Sequence, residues 1–310
     1  MAPGNGSFVT QFILKGLTDH PDLQLPLFFL FVAMYIITVQ GNVSFITLIV
    51  LNSHFHTPMY FFLFNLSFID FCYSSVFPPK MLINLISKKN IISYQGSMAQ
   101  LFFCFFAISE CYVLTSKAYD CCVTICNPLL YNIATSPKVF SILIFASYLM
   151  AFSTAMAHTG CLLRLTFCDA NTINHYVCDI LSLLQLSCTI TFINELVVFL
   201  MGSVNIFVPS FTIFISYDFI LCSILHLSST EGRSKAFSTC SSHILTVSLF
   251  CRSSAFVYLQ PSSSGSMNVE KIPSVFYTNV VPMVNPFIYS FRNKDVKLAL
   301  RKTLSRKSFN

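Results

Sequence analysis

Residues Thr115 to Tyr131 read T-S-K-A-Y-D-C-C-V-T-I-C-N-P-L-L-Y, and the place of this stretch in the chain decides the fold. It closes an apolar run that starts near Met98 and ends at Cys126. Asn127-Pro128 stops the run, because proline cannot continue a helix and restricts the residue before it. A helix of about 20 residues crosses roughly 30 Å of hydrocarbon, so this run reads as a membrane span. Lys117 and Asp120 lie inside its last turns. Three residues apart on one helix, they are placed to pair, and a lysine within a span needs such a partner. Cys121, Cys122 and Cys126 resemble a ligand cluster, yet no nearby His or acid beyond Asp120 completes a metal shell. Small apolar filler is the role that suits these thiols, and no metal site is expected.

The same reading extends in both directions. Of 310 residues, 55% are hydrophobic and only 10% charged, with 34 Phe and no Trp, which is far from a soluble composition. Spans are expected near Leu23–Leu51, Met59–Ile86, Met98–Cys126, Val139–Leu163, Leu196–Leu227, Ala236–Leu259 and Ile272–Phe291. Thr57-Pro58 and Ser136-Pro137 make the corners between helices. This divides the chain into an N-terminal segment 1–22, a seven-span body 23–291 and a tail 292–310. The net charge of +6 does not point to nucleic acid, since the basic residues flank apolar runs and collect in the tail. Arg292, Lys294, Lys297, Arg301, Lys302, Arg306 and Lys307 put the tail in the cytoplasm. With an odd number of spans the N-terminus is then outside, and Asn5-Gly6-Ser7 there is an N-glycosylation sequon.

Two acids stand deep in the apolar runs. Asp70 and Glu110 each lie roughly 18 Å from the inner end of their span, at 1.5 Å per residue, so they can meet at one depth. Buried carboxylates are costly unless they face the interior with a partner. A Na+ ion, a shared proton or a hydrogen-bonded pair would each relieve the repulsion. Pro286 in Asn285-Pro286-x-x-Tyr289 removes one backbone hydrogen bond and frees a carbonyl, making a hinge in the seventh span. A transporter could use such carboxylates and broken helices, but the chain has no inverted repeat. An enzyme would need a convergent nucleophile and base or a metal set, and the His residues lie scattered at loops and helix ends. No catalytic residues and no cofactor other than the Na+ ion are expected.

The motifs together carry a family resemblance. Ala118, Tyr119, Asp120, Val123, Ile125, Cys126, Pro128, Leu129 and Tyr131 match the family pattern M-A-Y-D-R-Y-V-A-I-C-x-P-L-x-Y. So do F-H-T-P-M-Y-F-F-L from Phe55, L-S-F-I-D ending at Asp70, P-P-K-M-L from Pro78, K-A-F-S-T-C-S-S-H from Lys235 and P-M-V-N-P-F-I-Y-S-F-R-N-K-D-V-K from Pro282. The chain resembles the olfactory receptors over nearly its whole length. That resemblance implies an all-α membrane protein, a rhodopsin-like seven-transmembrane helix bundle with a short amphipathic helix after the seventh span. It implies a cell-membrane receptor that binds small volatile odorants and signals through a stimulatory heterotrimeric olfactory G protein.

The resemblance also implies residue roles. It places the ligand among Cys104, Ala107, Ile108, Met201, Asn205, Ser254, Ala255 and Tyr258, a mostly apolar set with a few polar groups. It places activation and coupling at Asp120, Cys121, Tyr217, Asn285, Pro286 and Tyr289, with a regulatory cation at Asp70 and Glu110. The long outer loop from Arg164 to Glu195 holds Cys168, Cys178 and Cys188; Cys168 and Cys188 are expected to be bonded. Cys178 is left free, because Ser97 stands where its usual partner in the third span belongs. Two further departures matter. Cys121 replaces the family arginine, which implies a receptor whose coupling to the G protein is impaired or absent. Cys251-Arg252 replaces a tyrosine and a glycine in the sixth span.

Overall fold

The computed structural model describes residues 9–18, 20–87, 90–128, 131, 136–167, 171–226, 229–258, 271–292 and 296–299. Side chains are described for these except residues 235, 238, 239, 242, 250–258, 272, 273, 291 and 292.

Seven helical rods form one bundle. The first is Pro21–Leu51, the second Pro58–Ile86, and the third runs as Tyr94–Phe103 and Phe105–Cys126, with Cys104 between its two pieces. The fourth is Pro137–Leu162, the fifth Phe192–His226 and the sixth Thr230–Tyr258. The seventh is Lys271–Val275, a π turn at Phe276–Val280 and Val281–Arg292; residues 296–299 form one further helical turn. Proline occupies the first helical position of the first, second and fourth rods, where its missing N–H is an orphan in any case and its fixed φ suits a helix. At the third, the Ser93 hydroxyl caps by accepting from the Gly96 amide at 3.1 Å, satisfying one free donor.

Among the described residues, five helices are long and apolar enough to cross a membrane by length and composition, the first five rods. The sixth and seventh fall short for visible reasons. The sixth starts with the polar run Thr230-Glu231-Gly232-Arg233-Ser234-Lys235, and the seventh is broken by its π turn. Side chains turned outward are large and apolar, as at Phe145, Phe199, Phe211 and Phe214. Such a surface suits hydrocarbon rather than water.

The third rod is the axis. It packs on the second, fourth, fifth and sixth, while the first and seventh close the ring against each other. One end of the bundle carries a three-stranded sheet that the all-helical expectation did not include. β1 (Gln11–Leu14) runs antiparallel to β2 (Ile91–Ser93) and parallel to β3 (Thr172–Ile173). Phe12 and Leu14 point into the bundle while Ile13 between them faces out, the period-two alternation of a half-buried strand. Phe12, Leu14, Ile92 and Ile173 share a buried cluster with Leu162, Leu165 and Cys178. The N-terminal segment is therefore folded onto the bundle from residue 11.

Candidate functional site

Midway along the bundle, Asp70, Glu110 and Asn285 converge, all buried. The Asn285 Nδ2 donates to Asp70 Oδ2 at 2.9 Å and to Glu110 Oε1 at 3.3 Å, so one amide ties the second, third and seventh rods together. The equal depth read from the sequence becomes contact through this third residue. Asp70 Oδ1, Asn285 Oδ1 and the Ser74 hydroxyl, one turn along from Asp70, are buried without hydrogen-bond partners. Two carboxyl groups and a set of unmet oxygens in an apolar bundle suit a small hard cation.

Pro286 acts one step away. Its ring removes the bond that the Pro282 carbonyl would have accepted, and that carbonyl accepts instead from Asn42 Nδ2 of the first rod at 3.1 Å. Asn42 also donates to Thr38 O at 3.0 Å. The two rods are close at Gly41, where a Cβ would make ordinary contact with Pro286 Cγ at 3.6 Å. Sequence reading found the freed carbonyl and missed its acceptor role toward Asn42; an asparagine inside an apolar run was the available signal.

At the end away from the sheet, the arrangement differs from expectation. Lys117 is buried, and its ammonium lies 3.8 Å from the centroid of the Tyr289 ring. Asp120 accepts from the Tyr131 hydroxyl at 3.2 Å. Among the described residues no Lys117–Asp120 ion pair forms at contact distance; each takes a partner outside its own helix, while the two charges still favour each other electrostatically. The physical reason is direction: side chains three apart share a face only approximately, and Lys117 points toward the seventh rod while Asp120 points toward the loop after its own helix. Cys121 is buried in a small cluster with Ile220 and Cys240, edged by Cys122, Ile125 and Tyr217. Cys122 and Cys126 face each other with sulfurs 3.8 Å apart.

Tyr217 and His243 form a contact that the sequence reading treated as separate features. The Tyr217 hydroxyl meets His243 Nδ1, and His243 Nε2 lies 3.1 Å from the Leu114 carbonyl. A carbonyl only accepts, so Nε2 carries the proton and Nδ1 accepts from the tyrosine. The imidazole therefore joins the third, fifth and sixth rods.

Toward the sheet end, the expected ligand residues separate. Asn205 is not available as a free polar group: its Oδ1 accepts from Tyr112 Oη at 2.8 Å and its Nδ2 donates to Thr154 Oγ1 at 3.3 Å. Tyr112 and Thr154, absent from the expected set, hold the third, fourth and fifth rods through it. Cys104 and Ala107 pack with Phe106 and Tyr277 against a cluster that includes Tyr73, Phe77 and Tyr176. Ile108 and Met201 are half-buried on the third and fifth rods. Ser254, Ala255 and Tyr258 lie on the sixth helix, but their side chains, with those of Cys251 and Arg252, fall outside the described residues, as do Asn5 and Cys168.

The loop between the fourth and fifth rods is held at two cysteines. Cys188 is in a disulfide. Cys178 is a free thiol, buried beside Ser97, and burial pushes that thiol up to about 11. Its backbone N–H donates to Gln100 Oε1 of the third rod at 3.4 Å. A long hydrogen bond stands where a covalent tether would fit.

Comparison with known proteins draws these observations together. Residues 31–307 match the family model described as olfactory receptor. The chain is 67% identical over 305 residues to olfactory receptor 8B3 of Mus musculus, covering 98% of this chain and 96% of that one. It is 61% identical over 311 residues to olfactory receptor 8B8 of Homo sapiens, covering 100% of each. Among solved structures, the crystal structure of squid rhodopsin superposes with a TM-score of 0.72 at 20% identity, covering 92% of this chain and 81% of that one, a likeness of fold. The chain therefore belongs to the olfactory receptor family, multi-pass membrane proteins of the rhodopsin-like G-protein-coupled receptor fold, and is a signalling receptor rather than an enzyme.

Proposed function

We propose that the protein binds small volatile odorants between the third, fifth and sixth spans near the sheet end, and that it meets a stimulatory heterotrimeric G protein at the opposite end. The sheet end is extracellular, with Asn5 glycosylated, and the tail is cytoplasmic at the cell membrane; the basic tail and the outward sequon support this orientation. Cys104, Ala107, Ile108 and Met201 supply apolar walls, and Ser254, Ala255 and Tyr258 the facing side. Asn205 positions the third and fifth spans and leaves ligand contact to its neighbours.

The oxygens of Asp70, Glu110, Asn285 and Ser74 are the group that would hold a Na+ ion. Bound there, the cation supplies charge that lets two carboxylates share one apolar layer. Asn285 keeps the layer joined to the hinge at Pro286.

One observation favours a second reading within the same fold, a receptor impaired in transmission. Cys121 is only 7% exposed and is packed against Ile220 and Cys240. A guanidinium there would carry a fixed charge and five donors toward the G protein; a buried thiol carries neither. The test is a cAMP reporter in cells, comparing wild type with Cys121→Arg at matched surface levels across an odorant panel. A larger response from the arginine variant supports impaired transmission, and equal strong responses support the first reading alone.

A further inference from the structure

Cys121 matters above for the charge it lacks; as a thiol it has chemistry of its own. Cys121 on the third rod and Cys240 on the sixth belong to one small buried cluster, 7% and 1% exposed. Both are free, and their thiols share a hydrogen bond across the gap between the rods. The buried Lys117 ammonium lies within electrostatic reach of both sulfurs, and a cation beside a thiol is a setting in which thiolate chemistry occurs. Half-buried Cys122 and Ile125 edge the cluster, so the pair lies one layer in from its rim. An arginine at 121, as in the family pattern, would leave Cys240 without this partner.

The neighbouring sulfurs are less suited to joining. Cys122 and Cys126 have sulfurs 3.8 Å apart, yet they are four apart on one helix, where Cβ atoms are about 5–6 Å apart, against about 3.5–4.5 Å in a disulfide. Closing that bond would unwind the turn. Cys126 also accepts from the Ser223 hydroxyl at 3.1 Å. Cys121 and Cys240 come from different helices, and no single turn sets their separation. Among the described residues no group of three or more His, Cys, Asp and Glu is placed to hold a metal ion. What two apposed thiols can do is join each other.

We propose that Cys121 and Cys240 are a reversible oxidation site, forming a disulfide that joins the third span to the sixth when hydrogen peroxide reaches them. One sulfur attacks the O–O bond, becomes a sulfenic acid and releases a water; the other thiol attacks that sulfur, and its S–O bond breaks to release a second water. Two thiols lose two electrons, and one peroxide is reduced to two waters. A thiol reductant reverses the bond by exchange. Free thiols at rest fit a cytoplasmic end, where disulfides are usually transient and sense oxidants. The linked spans can no longer part there. That consequence for signalling rests on the G protein meeting this end; the bond itself does not.

The experiment uses full-length receptor in intact cells exposed to millimolar hydrogen peroxide. Free thiols are then blocked with N-ethylmaleimide, and the monomeric receptor is digested with trypsin without reduction. Cleavage after Lys117, Lys138, Lys235 and Arg252 puts Cys121 and Cys240 on separate peptides, 118–138 and 236–252. The linked form of these two peptides should rise several-fold with peroxide and vanish with dithiothreitol. Cys121→Ser or Cys240→Ser should abolish it. The combined Cys122→Ser, Cys126→Ser and Cys251→Ser variant, which leaves one cysteine on each peptide, should retain it. Where that variant does not reach the surface, fragment spectra of the wild-type linked peptides place the bridge. No linked peptide at any dose, or a bridge placed at Cys122, Cys126 or Cys251, would overturn the proposal. The mass readout needs no odorant, so its failure leaves impaired transmission standing, and a strong wild-type cAMP response leaves the disulfide standing.

Discussion

The middle layer of the bundle and its far end both draw on the third and seventh spans, yet they are held differently. At the middle, Asp70, Glu110 and Asn285 meet through two hydrogen bonds from a single amide, and Asn42 caps the carbonyl that Pro286 frees. At the far end, Lys117 rests on an aromatic face and Cys121 sits among apolar side chains. Holding the second, third and seventh spans together is thus the work of the middle layer, and the residues of the far end pack without drawing on that network.

The largest effect is expected at the middle layer. Asn285→Ala removes the shared donor and leaves two carboxyl groups facing each other. Removing one member of a buried charged network costs on the order of 3–5 kcal/mol, so the variant should melt far below wild type or fail to reach the surface. A melting temperature within a degree or two of wild type would show that the layer does not hold the bundle.

Ser97→Cys acts at the sheet end. The new thiol would face Cys178 beside it, and a bond that closes there should add about 2–5 kcal/mol of stability if it behaves as native disulfides do. Mass spectrometry of non-reduced peptides checks the Ser97→Cys link to Cys178; finding Cys178 bonded to another loop cysteine in the wild type would refute the assignment of a free thiol.

Lys117→Met comes next, and here structure reverses the expectation from sequence. Read locally, Lys117 supports Asp120, and its loss should destabilise. Read in space, it is a buried ammonium on the Tyr289 ring, a contact that returns about 2 kcal/mol when desolvated, against a desolvation cost of several kcal/mol. The methionine variant should therefore be as stable as wild type or more so, with unchanged surface level. A clear loss of melting temperature would restore the pairing with Asp120. A modest loss is expected at Asn205→Ala, which removes two neutral hydrogen bonds worth about 1 kcal/mol each. It should lower stability slightly for every odorant alike, whereas a selective loss for one odorant would make Asn205 a ligand contact.

Much of this was legible in the sequence because the signals are local. Apolar runs and prolines place the spans, and equal distances from their inner ends bring Asp70 and Glu110 to one depth. Contacts between distant segments were not legible. Nothing near Lys117 announces Tyr289, and nothing near Pro282 announces Asn42, because both partners are chosen by how rods rotate about their axes. The sheet escaped for a different reason: Gln11–Leu14 is four residues long, and its alternation is too short to stand out beside spans several times its length. Asn205 was legible as a polar group inside a span, but its two hydrogen bonds come from spans whose relative height the sequence does not give.

The reading of impaired transmission proposed for Cys121 is decided by one measurement. Cyclic AMP is followed in cells expressing wild type or Cys121→Arg, at matched surface levels and over an odorant panel that includes carboxylic acids because of Arg252. On that reading the wild type responds weakly or not at all, and the arginine variant shows a clear gain. A strong wild-type response equal to that of the variant would contradict it.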